Sequence, residues 1–203
     1  DDHNRETMSQ LLENQAAQLL REANTLGTSA GGGDWAGAGI DANIAIGYAP
    51  LYGALNGANN NIAMGYHSMH RHVSGDSNIA IGSHTMEYST ANSENIAIGQ
   101  EALGDVNQGE GANVAIGYYA MRNVDEGTGG GDADYNIAIG YDALKGGDFG
   151  GSNLQLQDNV AIGAFALDGT GAIGATGNVA IGKNAIGGTF AAESIHNIAI
   201  GEN

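Results

Sequence analysis

The chain has 203 residues, 35 of them Gly, one Pro and no Cys, and its 23 acidic against six basic residues leave a formal charge of −17. Without Cys there is neither a disulfide framework nor a thiolate metal site, and a chain this acidic repels nucleic acid and anionic membrane. No run reaches the roughly 18 apolar residues that a membrane span needs, so no membrane insertion is expected, and glycine without a strict triplet period excludes a collagen helix.

Residues 1–26 are expected to form an N-terminal coiled-coil stem, with the helix itself over 5–26. Leu12, Ala16, Leu19, Ala23 and Leu26 alternate at spacings of four and three, the seam of a heptad repeat. Leu11 and Leu20 widen the stripe, and so short a helix depends on partners or neighbours. Gly27 is placed as its C-cap. Residues 27–42 read as a Gly-rich linker, with Gly31, Gly32 and Gly33 in succession. Its one large aromatic, Trp35, is expected to plug the open end of a core.

Residues 43–203 are a repeat array. The phrase N-[IV]-A-[IM]-G begins at Asn43, Asn61, Asn78, Asn95, Asn113, Asn136, Asn159, Asn178 and Asn197, at steps of 17 to 23 residues. Self-similarity at a period near 20 means a solenoid, in which each repeat is one coil stacked on the last. With each Asn as position zero, position +8 is always Leu, Met or Ile, +7 is small or compact, and +6 varies freely. Only Glu101, Asp142 and Glu202 among the acids fall inside this frame; the rest lie in the segments between coils or before the array.

Side chains alternate between the faces of a strand, so +1 and +3 (Ile, Val or Met) share one face and the Ala at +2 takes the other. Ala at +2 in all nine copies indicates a crowded apolar contact. The expectation is that one face lines the coil, closed by +8 from the opposite wall, while Ala meets an identical subunit around an axis. On that reading Ala97→Glu or Ala138→Glu prevents assembly. Gly at +4 suits a corner with positive φ, and Asn at zero a corner where its side chain bonds backbone or stacks in a ladder. The C-terminus stops within the ninth copy, so the array is expected to continue beyond residue 203.

The phrases NIAIGYDAL (Asn136 to Leu144), NVAIGYYAM (Asn113 to Met121) and NIAIGQEAL (Asn95 to Leu103) resemble the head repeats of YadA-like trimeric autotransporter adhesins. They are still more similar to the longer repeats of phage tail fibres. The resemblance covers about 160 residues and implies a left-handed parallel β-roll, trimeric about a long axis and preceded by a coiled-coil stem. It departs from the adhesin heads in its longer, uneven steps. The resulting fold class is mainly β: a parallel β-roll solenoid of about nine coils, a homotrimer behind a short helix.

Candidate sites are sparse. His67, His70 and His72 lie in HSMHRH, and His84 takes the +6 position of His67 one coil later. Imidazoles ligate metals, but with no acid evident nearby the histidines are read as surface polar groups. Residues 129–134 (GGGDAD), with Asp125, Glu126, Asp132 and Asp134, faintly resemble a calcium turn; a single copy favours a solvated acidic loop. Tyr48, Tyr66, Tyr118 and Tyr141 at +5 are placed along a subunit seam in preference to a glycan surface. Phe149, Leu154 and Leu156, in the segment 145–158, form either a flap over the wall or a binding tip. No carboxylate pair, Ser-His-Asp or Cys-His set, or phosphate loop is singled out. The chain is therefore not expected to be an enzyme, and no catalytic, cofactor or metal site is assigned.

The function expected from these readings is that of a structural fibre segment of an extracellular virion, such as a phage tail fibre. It acts as a trimeric rod that docks to other virion proteins through the stem and displays loops to a host-cell receptor. The alternative is the head of a bacterial trimeric adhesin, or another extracellular filament subunit, at the cell surface.

Overall fold

The three apolar residues of each motif form a short strand, because Ile and Val at alternate positions favour the pleat and the Gly that follows ends it. The computed structural model of the protein describes residues 11, 25–32, 42–106, 109–124, 133–146, 155–169, 174–188 and 194–202. The motif strands are β2 (Ile44–Ile46), β3 (Ile62–Met64), β4 (Ile79–Ile81), β5 (Ile96–Ile98), β6 (Val114–Ile116), β7 (Ile137–Ile139), β9 (Val160–Ile162), β11 (Val179–Ile181) and β13 (Ile198–Ile200). They stack in sequence order into one parallel sheet, with every motif position opposite its own copy: Ala80 faces Ala97, and Ala97 faces Ala115. The chain is thus a parallel β-solenoid. A smaller parallel sheet, β12–β10–β8, lines a second wall of the later coils from Leu156–Gln157 (β8), Ala175–Thr176 (β10) and Ser194–Ile195 (β12).

Two expectations for the N-terminal region change. Thr25–Leu26, placed at the end of the helix, is strand β1, paired in parallel with Ala45 and Ile46, so among the described residues the main sheet has ten strands where nine motif copies predict nine. Gly27 is not a helix cap. Its φ of 130° and its contact with Gly47 are those of a motif corner glycine. Sheet pairing to a preformed edge outweighs the heptad pattern at these two residues. Leu11 is helical and exposed; the rest of the expected helix, and Trp35, lie outside the described residues.

The pleat is the reverse of the expectation. The +2 alanines from Ala45 to Ala180 have no exposed surface within a single chain, and they belong to one cluster with the +8 residues Leu51, Met69, Met86, Leu103, Met121, Leu144 and Leu167. Ala lies inside because the coil is thin: the Leu or Met arriving from the opposite wall fills the lumen and leaves room for only a methyl group. The +1 and +3 side chains point outward. Ile98 and Ile139 are each 36% exposed although flanked by coils on both sides, while on the last coil Ile198 and Ile200 rise to 75% and 74%. Ala97→Glu therefore strikes the core of a single chain, and the expectation that it acts on assembly alone is corrected.

The corners behave as their residues suggest. After Asn43, each motif Asn Nδ2 donates to the Oδ1 of the Asn one coil earlier, as Asn95 does to Asn78 at 3.2 Å and Asn113 to Asn95 at 3.1 Å. The same Oδ1 also accepts the next Asn backbone N–H, at 3.0 Å for Asn113. The other Nδ2 hydrogen reaches a loop carbonyl, Glu110 O at 3.0 Å for Asn95. From Asn43 to Asn178 these amides are buried, and Asn95 uses both Nδ2 hydrogens and both acceptor sites of its Oδ1. At +4, Gly99 has φ 134°, and a Cβ there would collide with the Gly117 carbonyl oxygen; only glycine fits.

The wall after the glycine is not legible in the sequence. Positions +6 and +8 both adopt left-handed backbone with non-glycine residues, for example His84 (φ 56°) and Met86 (φ 49°), or Tyr119 (φ 60°) and Met121 (φ 50°). Such positions cost about 1 kcal/mol or more each. Inter-coil hydrogen bonds offset this: the +6 N–H donates to the +5 carbonyl one coil earlier, and the +8 N–H to the +7 carbonyl one coil later.

Candidate functional site

Because each coil repeats the same turn, the +5 and +6 side chains project from one corner and stack on their copies. Tyr48 and Tyr66 lie 5.1 Å apart with planes at 11°, and Tyr118 and Tyr141 are 5.4 Å apart at 3°. All four tyrosines are 38–48% exposed. The corner divides into two aromatic groups. The first holds Tyr48, Tyr52, Tyr66, His67, His70 and His84. The second holds Tyr118, Tyr119, Tyr141 and Phe165, with the Arg122 guanidinium 4.5 Å over the Tyr119 ring. Tyr119 bonds to the Tyr118 hydroxyl, and that bond, ahead of partial desolvation, pushes its phenol up to about 12.

Within the first group, His67 is stacked between Tyr66 and His70, with ring centroids 4.2 Å away on each. His70 Nδ1 contacts Ala49 O at 3.0 Å, as a donor in the tautomer that satisfies the carbonyl. The His67 and His84 rings are 5.3 Å apart, close to the strand spacing that their shared +6 position implies. The acid that seemed missing from the sequence is Glu87. Its Oε2 lies 2.7 Å from His84 Nδ1 and its Oε1 3.5 Å from His67 Nδ1, at three half-buried to largely buried side chains. Burial, with the neighbouring His70, lowers the His67 pKa from its ordinary value and outweighs Glu87. Glu87 follows His84 by three residues, beyond the variable +6 position, so only the turn geometry brings it back to the corner.

Beside this cluster runs a groove of about 270 Å³ lined by His84, Glu87, Tyr88, Glu101, Asp105 and Arg122 among others. Arg122 bonds Glu101 at 2.9 Å and approaches Asp105 at 3.5 Å, leaving the groove net acidic. His72, the third histidine of HSMHRH, is elsewhere. It is fully buried in the interior column that Val106 and Val124 occupy in later coils, with Nε2 3.1 Å from Gly75 O. Burial lowers its pKa.

The two longest inter-coil segments are rooted against one another. Gly146 N–H donates to Arg122 O at 3.1 Å and Asp158 N–H to Asp134 O at 3.2 Å, while Val124, Ala133 and Leu156 are buried at their bases. Leu156 thus belongs to β8 and the core. Asp125, Glu126, Asp132, Phe149 and Leu154 lie outside the described residues; Asp134 accepts the Gly111 N–H at 2.6 Å. Comparison with protein-family models, with curated proteins and with solved structures finds no match to this chain.

Proposed function

We propose that the chain is a rod segment of an extracellular fibre, built as a homotrimer and belonging to a virion appendage such as a phage tail fibre, that carries receptor-contacting loops away from the particle. The observation that supports this reading is the outward face of the main sheet. Two columns of Ile, Val and Met run along the nine motif strands, and among the described residues they stay partly to largely exposed. Seven of these eighteen side chains are at least 36% exposed and the other eleven partly so, which amounts to on the order of 1,000 Å² of apolar surface, where monomers expose a few hundred. That is also the area one partner buries in a stable interface.

The resemblance of NIAIGYDAL to fibre and adhesin repeats supplies the number three, and the in-register parallel stack supplies the stiffness. The aromatic corner and the rooted segments 122–135 and 145–158 are where recognition is best sited, since contact residues favour loops on a rigid scaffold. Three copies then raise avidity without strong single contacts. No catalysis is assigned to it. Sedimentation equilibrium of the full chain is expected to give three times the 20.5 kDa chain mass; a folded monomer at micromolar concentration overturns the proposal.

A further inference from the structure

We infer that His67, His84 and Glu87 form a binding site for a divalent first-row transition ion of the Zn(II) type, joining two adjacent coils at the aromatic corner. One nitrogen from each imidazole and one Glu87 oxygen all lie within 4.8 Å of one another. An ion with ligand bonds of about 2.0–2.2 Å holds its donors roughly 3.3–3.6 Å apart, so small side-chain rotations close the set. The His67 Nδ1 to Glu87 Oε1 separation of 3.5 Å already meets that spacing.

The donors also suit the ion. Two imidazoles and one carboxylate favour Zn(II), Ni(II), Co(II) or Cu(II), whereas Ca(II) and Mg(II) require oxygen-rich shells. The ring of His67 is held from both sides by Tyr66 and His70, so little rotamer freedom is lost on ligation. The site is open toward the acidic groove beside His84 and Glu87. Water therefore completes the coordination, and the groove's excess of carboxylates favours a cation. His67 belongs to the coil that starts at Asn61, and His84 and Glu87 to the coil that starts at Asn78. Ligation thus clips one coil to the next, and the ion stabilises the folded rod in proportion to its occupancy.

The test is calorimetric titration of the full chain with Zn(II) alone near neutral pH, beside thermal melts in Zn(II) and in chelator. One ion per chain is expected, with a melting temperature raised by Zn(II). H84Q and E87Q should each weaken binding about tenfold or more while melting as the parent does in chelator. H196Q, far along the chain, should bind as the parent. A second measurement uses the unaltered chain: Zn(II) should slow diethylpyrocarbonate modification of His67 and His84 but not of His196, as mapped by mass spectrometry. Absence of binding at about 1 mM Zn(II), undiminished binding in the H84Q/E87Q double variant, or unprotected His67 and His84 overturns the inference.

Discussion

The outer face of the main sheet and the corner that follows it are both exposed and both recur once per coil, yet their residues vary in opposite ways. Along the face, +1 and +3 hold only Ile, Val or Met through nine copies; at the corner, +5 passes through Tyr, Ser, Gln, Ala, Lys and Glu. Water does not require isoleucine of a surface, so a face this uniform fits the apolar covering between chains that we propose. The corner answers to nothing common to all coils, and its aromatic and histidine clusters are local features of particular coils. The uniform face is what the proposed assembly needs, and the variable corner is what is left to decorate it.

Charge placed on the two faces of the main sheet should have different consequences. Ala97→Glu buries a carboxylate in a lumen with no partner and is expected to cost about 4 kcal/mol or more, unfolding the middle coils by circular dichroism. The Ile98→Lys/Ile139→Lys pair is expected to keep the β signal and shift the sedimenting species to the single-chain mass of 20.5 kDa. If the lysine pair still sediments as an oligomer, the columns are not the contact between chains.

A smaller effect contrasts the two corners. Asn95→Ala removes one of the two hydrogen bonds at Asn78 Oδ1 and one of the two at the Glu110 carbonyl, and takes its acceptor from the Asn113 backbone N–H, a loss of about 2–4 kcal/mol by chemical denaturation. Tyr66→Ala removes stacking at an exposed site and should cost about 1 kcal/mol or less. Equal losses would mean that the exposed corner supports the fold as much as the buried one.

The mildest test is pH. His72 has a folded pKa below its ordinary 6.5 because burial disfavours the charged ring, so protonation favours the unfolded chain. Its contribution is complete above that ordinary value and declines as pH falls below it, by up to about 1.4 kcal/mol per unit until the folded value is reached. Melting temperature should therefore drop between about pH 7.5 and pH 5.5. His72→Val, which installs the residue found at this position in two later coils, should flatten the slope, apart from the part that His67 contributes with the same sign. An unchanged slope would assign the acid sensitivity to other groups.

The repeat frame was legible because a solenoid stacks each residue on its own copy. A position that must bond its copy, such as Asn95, or pass beneath it, such as Gly99, cannot vary, and the constraint shows as identity along one chain. Other features left no such trace. β1 joins the sheet with only Gly27 to mark it. The left-handed turns at +6 and +8 carry ordinary residues, because hydrogen bonds between coils, not local preference, hold them. Glu87 reaches His67 and His84 only through that turn. The metal cluster was half visible as a shared +6 histidine, and its third member was hidden.

Chain periodicity by itself determined that the fold is a parallel stack, with Asn and Gly at its corners and +1 and +3 on one face opposite +2. It could not determine which face is inside, since alternation labels two sides without assigning them. Tertiary structure decided that point through volume: a lumen already filled by Leu103 and Met121 from the opposite wall admits Ala97 and Ala115, and the larger Ile98 and Ile116 are turned outward.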